Sequence, residues 1–490
     1  MRGKRRTMDG IKRITTVLLC ASLIGCGDPQ SSAKPTPALT KTPQLEATKE
    51  VEVTETPRPT EEPKATATPE PAQTEAPQAT ATPGAVPTEM PTPTASPTSV
   101  PVDLAQDAKD WKARLQEFSD SAYDLTVPLT MESLQEQCED YFLLGAAMSG
   151  GSYSTFAIHS EEFLAVLEKH FGSTTATNLM KPSYFLNQSA SKKNYAAGNP
   201  EPAVDFSKIE ETLEWCMDSG VKMRGHTLVW HNQTPDWFFR DGYTSDGEYV
   251  DRETMIVRLD SYIGQVMTYC QENYPGVVYC WDVVNEAVDP EKGDATTNFY
   301  CRKESGSGEN KWYLTIGPDY VEQAFRSARK YADEDVKLFY NDYSVVDAKK
   351  RQYIYNLCKD LADQGLIDGI GLQGYWGTGW PSLSTIESTI RKLSELGVEI
   401  QLTELTIEAE PVNEIGYVAQ AKRYADIFKL LQRLDTEGGG PANITAVTMF
   451  GLMDGYMYNQ NDTNTSRWFD KNLQPKPVVE AVMEVFKEYY

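Results

Sequence analysis

The chain has 490 residues, a formal charge of -25, and 40% hydrophobic and 24% charged residues. That acidity argues against nucleic acid or an anionic membrane surface as partner, and four histidines with no CxxC pair and no HExxH leave little from which to build a zinc site. All 51 aromatic residues lie after residue 110 and 15 of the 29 prolines lie between Pro35 and Pro101, so one large globular domain behind a non-globular front fits better than the three that about 150 residues per domain would give.

Residues 1–26 carry +5, residues 27–101 carry -5, and the remaining 389 hold the whole -25. Arg2, Lys4, Arg5, Arg6, Lys12 and Arg13 precede an apolar run over residues 14–24, about half of the roughly 20 residues that a bilayer-spanning helix needs. It reads as a secretory signal, with Met8 as an alternative start. The run ends in Leu23-Ile24-Gly25-Cys26, which resembles a bacterial lipoprotein signal whose cysteine becomes the lipid anchor; ordinary cleavage with Cys26 incidental is the alternative. Residues 27–101 are rich in Thr, Pro, Ala and Glu with almost nothing large and apolar to bury, so they are expected to be a disordered linker. Extended as polyproline II at about 3.1 Å per residue, such a linker reaches on the order of 200 Å. Residues 102–130 read as an N-terminal extension of the globular domain at 131–490.

Within that domain a strand-helix unit repeats. Strand-like runs are expected at 142–148, 173–177, 221–230, 277–284, 336–340, 367–372, 398–405 and 444–451, each followed by helix-compatible sequence. Phe206, Ile209, Leu213, Cys216 and Met217 form one such helical stripe, which Gly220 stops; Met255, Leu259, Tyr262, Ile263, Val266 and Cys270 form the next. Eight units over about 350 residues predict a (β/α)8 TIM barrel. A doubly wound sheet is the alternative, but no Gly-rich phosphate loop follows the first strand.

In a barrel the chemistry belongs at the C-terminal strand ends. Strand four ends Trp281-Asp282-Val283-Val284-Asn285-Glu286-Ala287 and strand seven ends Gln401-Leu402-Thr403-Glu404-Leu405. Two glutamates across one barrel mouth suggest glycoside hydrolysis, in which a retaining enzyme sets its carboxyl groups about 5–5.5 Å apart.

From about Met131 onward the sequence resembles glycoside hydrolase family 10, the barrel endo-β-1,4-xylanases. The resemblance is carried by Tyr141-Phe142-Leu143-Leu144-Gly145-Ala146-Ala147, Asn178-Leu179-Met180-Lys181-Pro182, Arg224 through Gln233 (RGHTLVWHNQ), the Trp281 segment, Asn341-Asp342-Tyr343 and Gly371-Leu372-Gln373. It implies Glu286 as acid/base with a raised pKa and Glu404 as nucleophile. Asn285 would bond the sugar 2-hydroxyl, and Asn178, Lys181, His226 and Gln233 the sugars on the non-reducing side of the cut. Trp230, Tyr343 and Gln373 would line the cleft.

The family usually shows a histidine two residues after the strand-six glutamine and an aspartate or asparagine two residues after the nucleophile; here those positions are Tyr375 and Thr406. An aspartate without its imidazole would put a second negative charge near Glu404, so the two losses belong together, and a Tyr375 hydroxyl is expected to bond Glu404 in the histidine's place. The family's glutamate before Asn178 is Thr177, and the two tryptophans roofing the cleft become Phe450 and, by spacing, Tyr458. Phenyl and phenol rings offer a sugar less area than indole and no indole donor.

Most of the six cysteines of the domain lie in apolar helix stripes or strands, where buried thiols are the commoner state, although export permits disulfides. The expectation is thus an exported, tethered, retaining endo-1,4-β-xylanase that acts on xylan without cofactor, metal or obligate protein partner, and that meets the membrane only through its lipid. The alternatives are an endo-acting hydrolase of another β-linked or decorated plant glycan, and a catalytically impaired surface xylan-binding lipoprotein.

Overall fold

The structure, a computed structural model, describes residues 123–152, 155–306, 308–455 and 465–487. The leader, Cys26, the linker and Tyr458 lie outside the described residues.

Eight parallel strands follow one another around a closed sheet: β1 Leu143–Met148, β2 Ser173–Ala176, β3 Lys222–Trp230, β4 Val278–Asn285, β5 Lys337–Asp342, β6 Gly369–Leu372, β7 Glu399–Ile407 and β8 Ile444–Met449. β8 pairs with both β7 and β1, which closes the barrel and excludes the doubly wound alternative. The expected strands match to within two residues at each end. Each strand is followed by a helix: α1 Glu161–His170, α2 Glu210–Ser219, α3 Arg252–Asn273, α4 Tyr320–Tyr331, α5 Ala348–Ala362, α6 Leu383–Ser394, α7 Glu414–Leu434 and α8 Pro477–Lys487. Between β2 and α2 the chain inserts two short helices, Pro182–Phe185 and Gln188–Ala196, that carried no clear apolar period.

Local chemistry sets these boundaries. Ser160, Asp251, Asp347, Ser382 and Asn413 each accept a backbone N–H of the first turn of α1, α3, α5, α6 and α7, each cap contributing about 1 kcal/mol. Gly220 ends α2 at φ +80°, a left-handed conformation that favours glycine. The stripe residues Met255, Leu259, Tyr262, Ile263, Val266 and Cys270 of α3 are all buried against the sheet.

The barrel interior is partly polar. Arg224 of β3 forms a bidentate ion pair with Asp282 of β4, both fully buried, and its Nε donates to Gln401 Oε1 of β7 at 3.0 Å. Gln401 in turn donates to Thr445 of β8. Removing one partner of such a pair costs about 3–5 kcal/mol, because the other charge is left buried and alone. Gly225 lets β4 approach: a Cβ there would fall 2.4 Å from the Trp281 indole.

Cys138, Cys216, Cys270, Cys280, Cys301 and Cys358 are all free and buried. Burial raises their thiol pKa values, that of Cys280 to about 12. Thiol titration of the native protein with a disulfide reagent should therefore leave these six unreacted, and full denaturation should release all six. Fewer than six on unfolding, without reductant, would mean that disulfides form.

Candidate active site

Glu404 sits on β7 and is 6% exposed. Its Oε1 accepts from Asn341 Nδ2 of β5 at 3.0 Å and its Oε2 accepts from the Tyr375 hydroxyl at 2.5 Å. Glu286 follows the last residue of β4 with φ +59°, its backbone N–H bonded to Asn341 O at 2.9 Å. Its Oε2 accepts from Trp230 Nε1 at 3.1 Å and its Oε1 from Gln373 Nε2 at 2.9 Å.

A line of side-chain amides joins the two carboxylates. Asn341 Nδ2 also donates to Asn285 Oδ1 at 3.1 Å, and Gln373 Nε2 reaches the same oxygen at 3.3 Å. Thr403 Oγ1 donates to Asn341 Oδ1 at 2.7 Å, which fixes the orientation of that amide. β5 and β6 separate the two glutamate strands in the sheet order; Asn341 lies on β5, and Gln373 directly follows the last residue of β6.

The two acids have different surroundings. Burial pushes the Glu286 carboxyl above the usual range, the negative charges of Asp342 and Glu404 add to this, and the bonds from Gln373 and Trp230 act the other way. Lys181 is 6% exposed; burial lowers its pKa to about 8 against the pull of Glu404 and Glu286. His231, with Nε2 3.9 Å from Glu286 Oε2, is brought down to about 3 by burial and by Arg302 and Lys350, so it faces the acid as a neutral imidazole.

The remaining expected residues fall into three groups. Lys181 donates to Asn178 Oδ1 at 2.9 Å and lies 4.9 Å from the centre of the Trp230 ring; Gln233 reaches the same Asn178 oxygen at 3.4 Å. His226 bonds Asp282 through Nδ1 at 2.7 Å, so its imidazole is anchored to the interior ion pair. Tyr343, 36% exposed, accepts from Arg302 Nη2 at 2.9 Å, and Arg302 Nε donates to the Glu286 carbonyl at 2.7 Å.

The departures also have a geometry. Tyr375 starts the two-residue strand Tyr375–Trp376, which pairs with β7 at Thr406 and Ile407. Its ring meets Phe450 edge to face at 6.0 Å. Thr406 returns its hydroxyl to the Glu404 carbonyl, and Thr177 bonds Gly150 O at 2.6 Å. Phe450, the ring expected to roof the cleft, is only 7% exposed and packs on Ala147.

Residue chemistry alone gave no role to Asn341, Thr403, Arg302, Arg224 or Asp282. Asn341, Arg224 and Asp282 lay inside the motif segments, which was the available signal; Arg302 stands in a loop with none.

Comparison with known proteins agrees with this geometry. Residues 133–485 match the model of glycosyl hydrolase family 10. A putative endo-1,4-beta-xylanase of Caldicellulosiruptor saccharolyticus is 44% identical over 310 residues, 61% of this chain and 94% of that one. Endo-1,4-beta-xylanase B of Butyrivibrio fibrisolvens is 38% identical over 66% of this chain and 48% of its own length, so the match spans about half of that relative. Among solved structures, the endo-1,4-beta-D-xylanase 10B of Clostridium thermocellum in complex with xylohexaose superposes with TM-score 0.65 at 30% identity, covering 72% of this chain and 67% of that one. The intracellular xylanase of Thermoanaerobacterium saccharolyticum, as a variant with xylotriose, gives TM-score 0.59 at 31% identity over 72% and 98%. The chain belongs to glycosyl hydrolase family 10, and it is a glycoside hydrolase.

Proposed function

We propose that this protein is an endo-1,4-β-xylanase that cleaves the xylan backbone with retention of anomeric configuration, Glu286 serving as acid/base and Glu404 as nucleophile. The observation that carries the reading is the amide line from Glu404 through Asn341, Asn285 and Gln373 to Glu286, which holds a buried and a partly buried carboxyl in one mouth. Xylan as substrate rests on the relatives, which are named endo-1,4-beta-xylanases and include a complex with xylohexaose.

In the first step Glu286 gives its proton to the departing glycosidic oxygen while the Glu404 carboxylate attacks the anomeric carbon through an oxocarbenium-like transition state. The ester that forms removes the Glu404 charge, one of the charges that raise the Glu286 pKa. Glu286, now ionised by that proton transfer, is then suited to take a proton from water, whose oxygen opens the ester. Asn285 has its oxygen occupied by two amide donors, so it meets the sugar 2-hydroxyl through its NH2. That bond strengthens in the transition state and so accelerates the reaction.

Xylan hydrolysis followed by NMR should give β-configured products first, and Glu404→Ala should be inactive but partly rescued by azide as a glycosyl azide of inverted configuration. An azide of inverted configuration from Glu286→Ala, with one of retained configuration from Glu404→Ala, would reverse the two roles. Release of oligosaccharide only from mixed-linkage glucan or mannan would move the substrate to another β-linked glycan, and binding to xylan with no hydrolysis of any glycan would leave a binding protein.

The Tyr375 hydroxyl occupies the nucleophile's second oxygen. A hydrogen bond to a charged group contributes about 1.5–3 kcal/mol, so Tyr375→Phe should lower kcat/KM by roughly ten- to a hundredfold while the ring keeps its edge-to-face contact with Phe450. An undiminished rate in that variant would show that the bond has no part in catalysis.

Export and anchoring belong to the same reading: a cell-surface lipoprotein held by Cys26 and the linker. Mass spectrometry of the mature protein should find lipid on Cys26, and a free mature N-terminus at another residue would rule the anchor out.

A further inference from the structure

Behind Glu286 lies a buried set of residues that meets the cleft through Tyr343. The Tyr340 hydroxyl of β5 accepts the backbone N–H groups of Ala287 and Val288, at 3.0 and 3.2 Å, just after the left-handed backbone of Glu286. The same hydroxyl donates to Asp342 Oδ2 at 2.5 Å. Asp342 Oδ1 accepts from the Tyr343 N–H at 2.9 Å and faces Lys350 Nζ of α5 at 2.7 Å, an ion pair rather than an aligned hydrogen bond. The ammonium also lies 3.3 Å from the centre of the Tyr343 ring. Tyr340 and Asp342 are fully buried, and Lys350 is 3% exposed.

We propose that Tyr340, Asp342 and Lys350 form a positioning relay for the acid/base: Tyr340 clamps the backbone that presents Glu286, and the Asp342–Lys350 pair sets the charge at its back and with it the pH range of the reaction. This rests on the reading of Glu286 as acid/base. The geometry supports it at two points: the clamp bonds the two peptide N–H groups that follow Glu286, and the same hydroxyl is bonded to Asp342, whose other oxygen faces Lys350, so the ion pair lies one phenol away from that backbone. The Asp342 charge acts to raise the Glu286 pKa.

The other groups around the acid do not duplicate this pair. From the end of β3 comes the Trp230 N–H and from the residue after it the neutral His231, from β7 Glu404, and from the segment after β2 Lys181. Arg302 is bonded to the Glu286 carbonyl, to Asp289 and to Tyr343. Asp342 itself is faced by Tyr340, Lys350 and Arg302 and, across α4 and α5, by the Tyr320 phenol and the Cys358 thiol, neither of which carries charge near neutrality.

The sign follows from the chemistry. Glu286 must be protonated to act as acid, so kcat/KM falls on the basic side as pH rises through its pKa. Asp342→Asn removes a negative charge, lowers that pKa and should move the basic limb to lower pH by roughly half to one unit. Lys350→Met removes the compensating positive charge and should move the limb to higher pH, whereas Lys350→Arg should restore it. A purely structural role would lower rates without moving the limb in opposite directions.

The profiles are to be recorded on xylan with the full chain, with circular dichroism and Tm checking the fold. A folded Asp342→Asn whose basic limb stays in place would overturn the relay; should that variant not fold, a basic limb of Lys350→Met that fails to rise would do the same. The acid/base reading is tested separately with an aryl xylobioside that has a good leaving group. There Glu286→Ala should lose the basic limb altogether; if the limb persists, the assignment of Glu286 fails, whichever way the relay variants behave.

Discussion

Two carboxylates in one barrel mouth, Glu404 buried and Glu286 partly so, repel each other and lose much of the water that would solvate them; the site exists because donors on other strands replace that water. Asn341 and Gln373 each give one amide proton to a glutamate and the other to the single oxygen of Asn285. The amide protons of Asn341 and Gln373 are all used and the Asn285 oxygen is oriented by them, and a buried polar network is stabilised to the extent that its members are satisfied. The asymmetry of the site follows from the same constraint. Glu404 receives a phenol and an amide, while Glu286 receives an amide and an indole but also faces Asp342, whose charge favours its protonated form.

Glu286 also has a backbone to be held. A non-glycine residue at positive φ costs on the order of 1–3 kcal/mol and persists only where the surroundings over-determine it. Here the Glu286 N–H is tied to Asn341 O, its carbonyl to Arg302, and the next two N–H groups to Tyr340. β5 thus does two things at once: its residues 340, 341 and 342 hold the chain that carries Glu286, and Asn341 also holds Glu404.

The strands and the two glutamates could be read from the sequence because both depend on local pattern. An apolar run ending in an acidic residue is visible within ten positions, and so are the stripes of α2 and α3. The partners of those glutamates depend on register across the barrel. Arg224 meets Gln401 across 177 positions and Tyr375 meets Glu404 across 29, and no periodicity within one strand announces either. The Tyr375 contact was foreseen only because a missing histidine asked for a donor. The two helices over 182–196 were missed for the opposite reason: the longer one, Gln188–Ala196, buries a single serine and so lacks an apolar face.

Charge inside the domain is arranged differently from its total. An uncharged polysaccharide feels no long-range attraction or repulsion from a chain of net charge -25, so the acidity of the surface and the chemistry of the mouth are independent. In the mouth and just beneath it, cations stand against the acids: Arg224 against Asp282, Lys350 against Asp342, Arg302 against Asp289, with Lys181 drawn toward both glutamates. The family's extra acid beside the nucleophile would upset that balance here, because Tyr375 can donate a proton but cannot carry a positive charge as an imidazolium can. Thr406, with its hydroxyl returned to its own strand, is therefore an uncharged neighbour suited to a glutamate bonded by tyrosine.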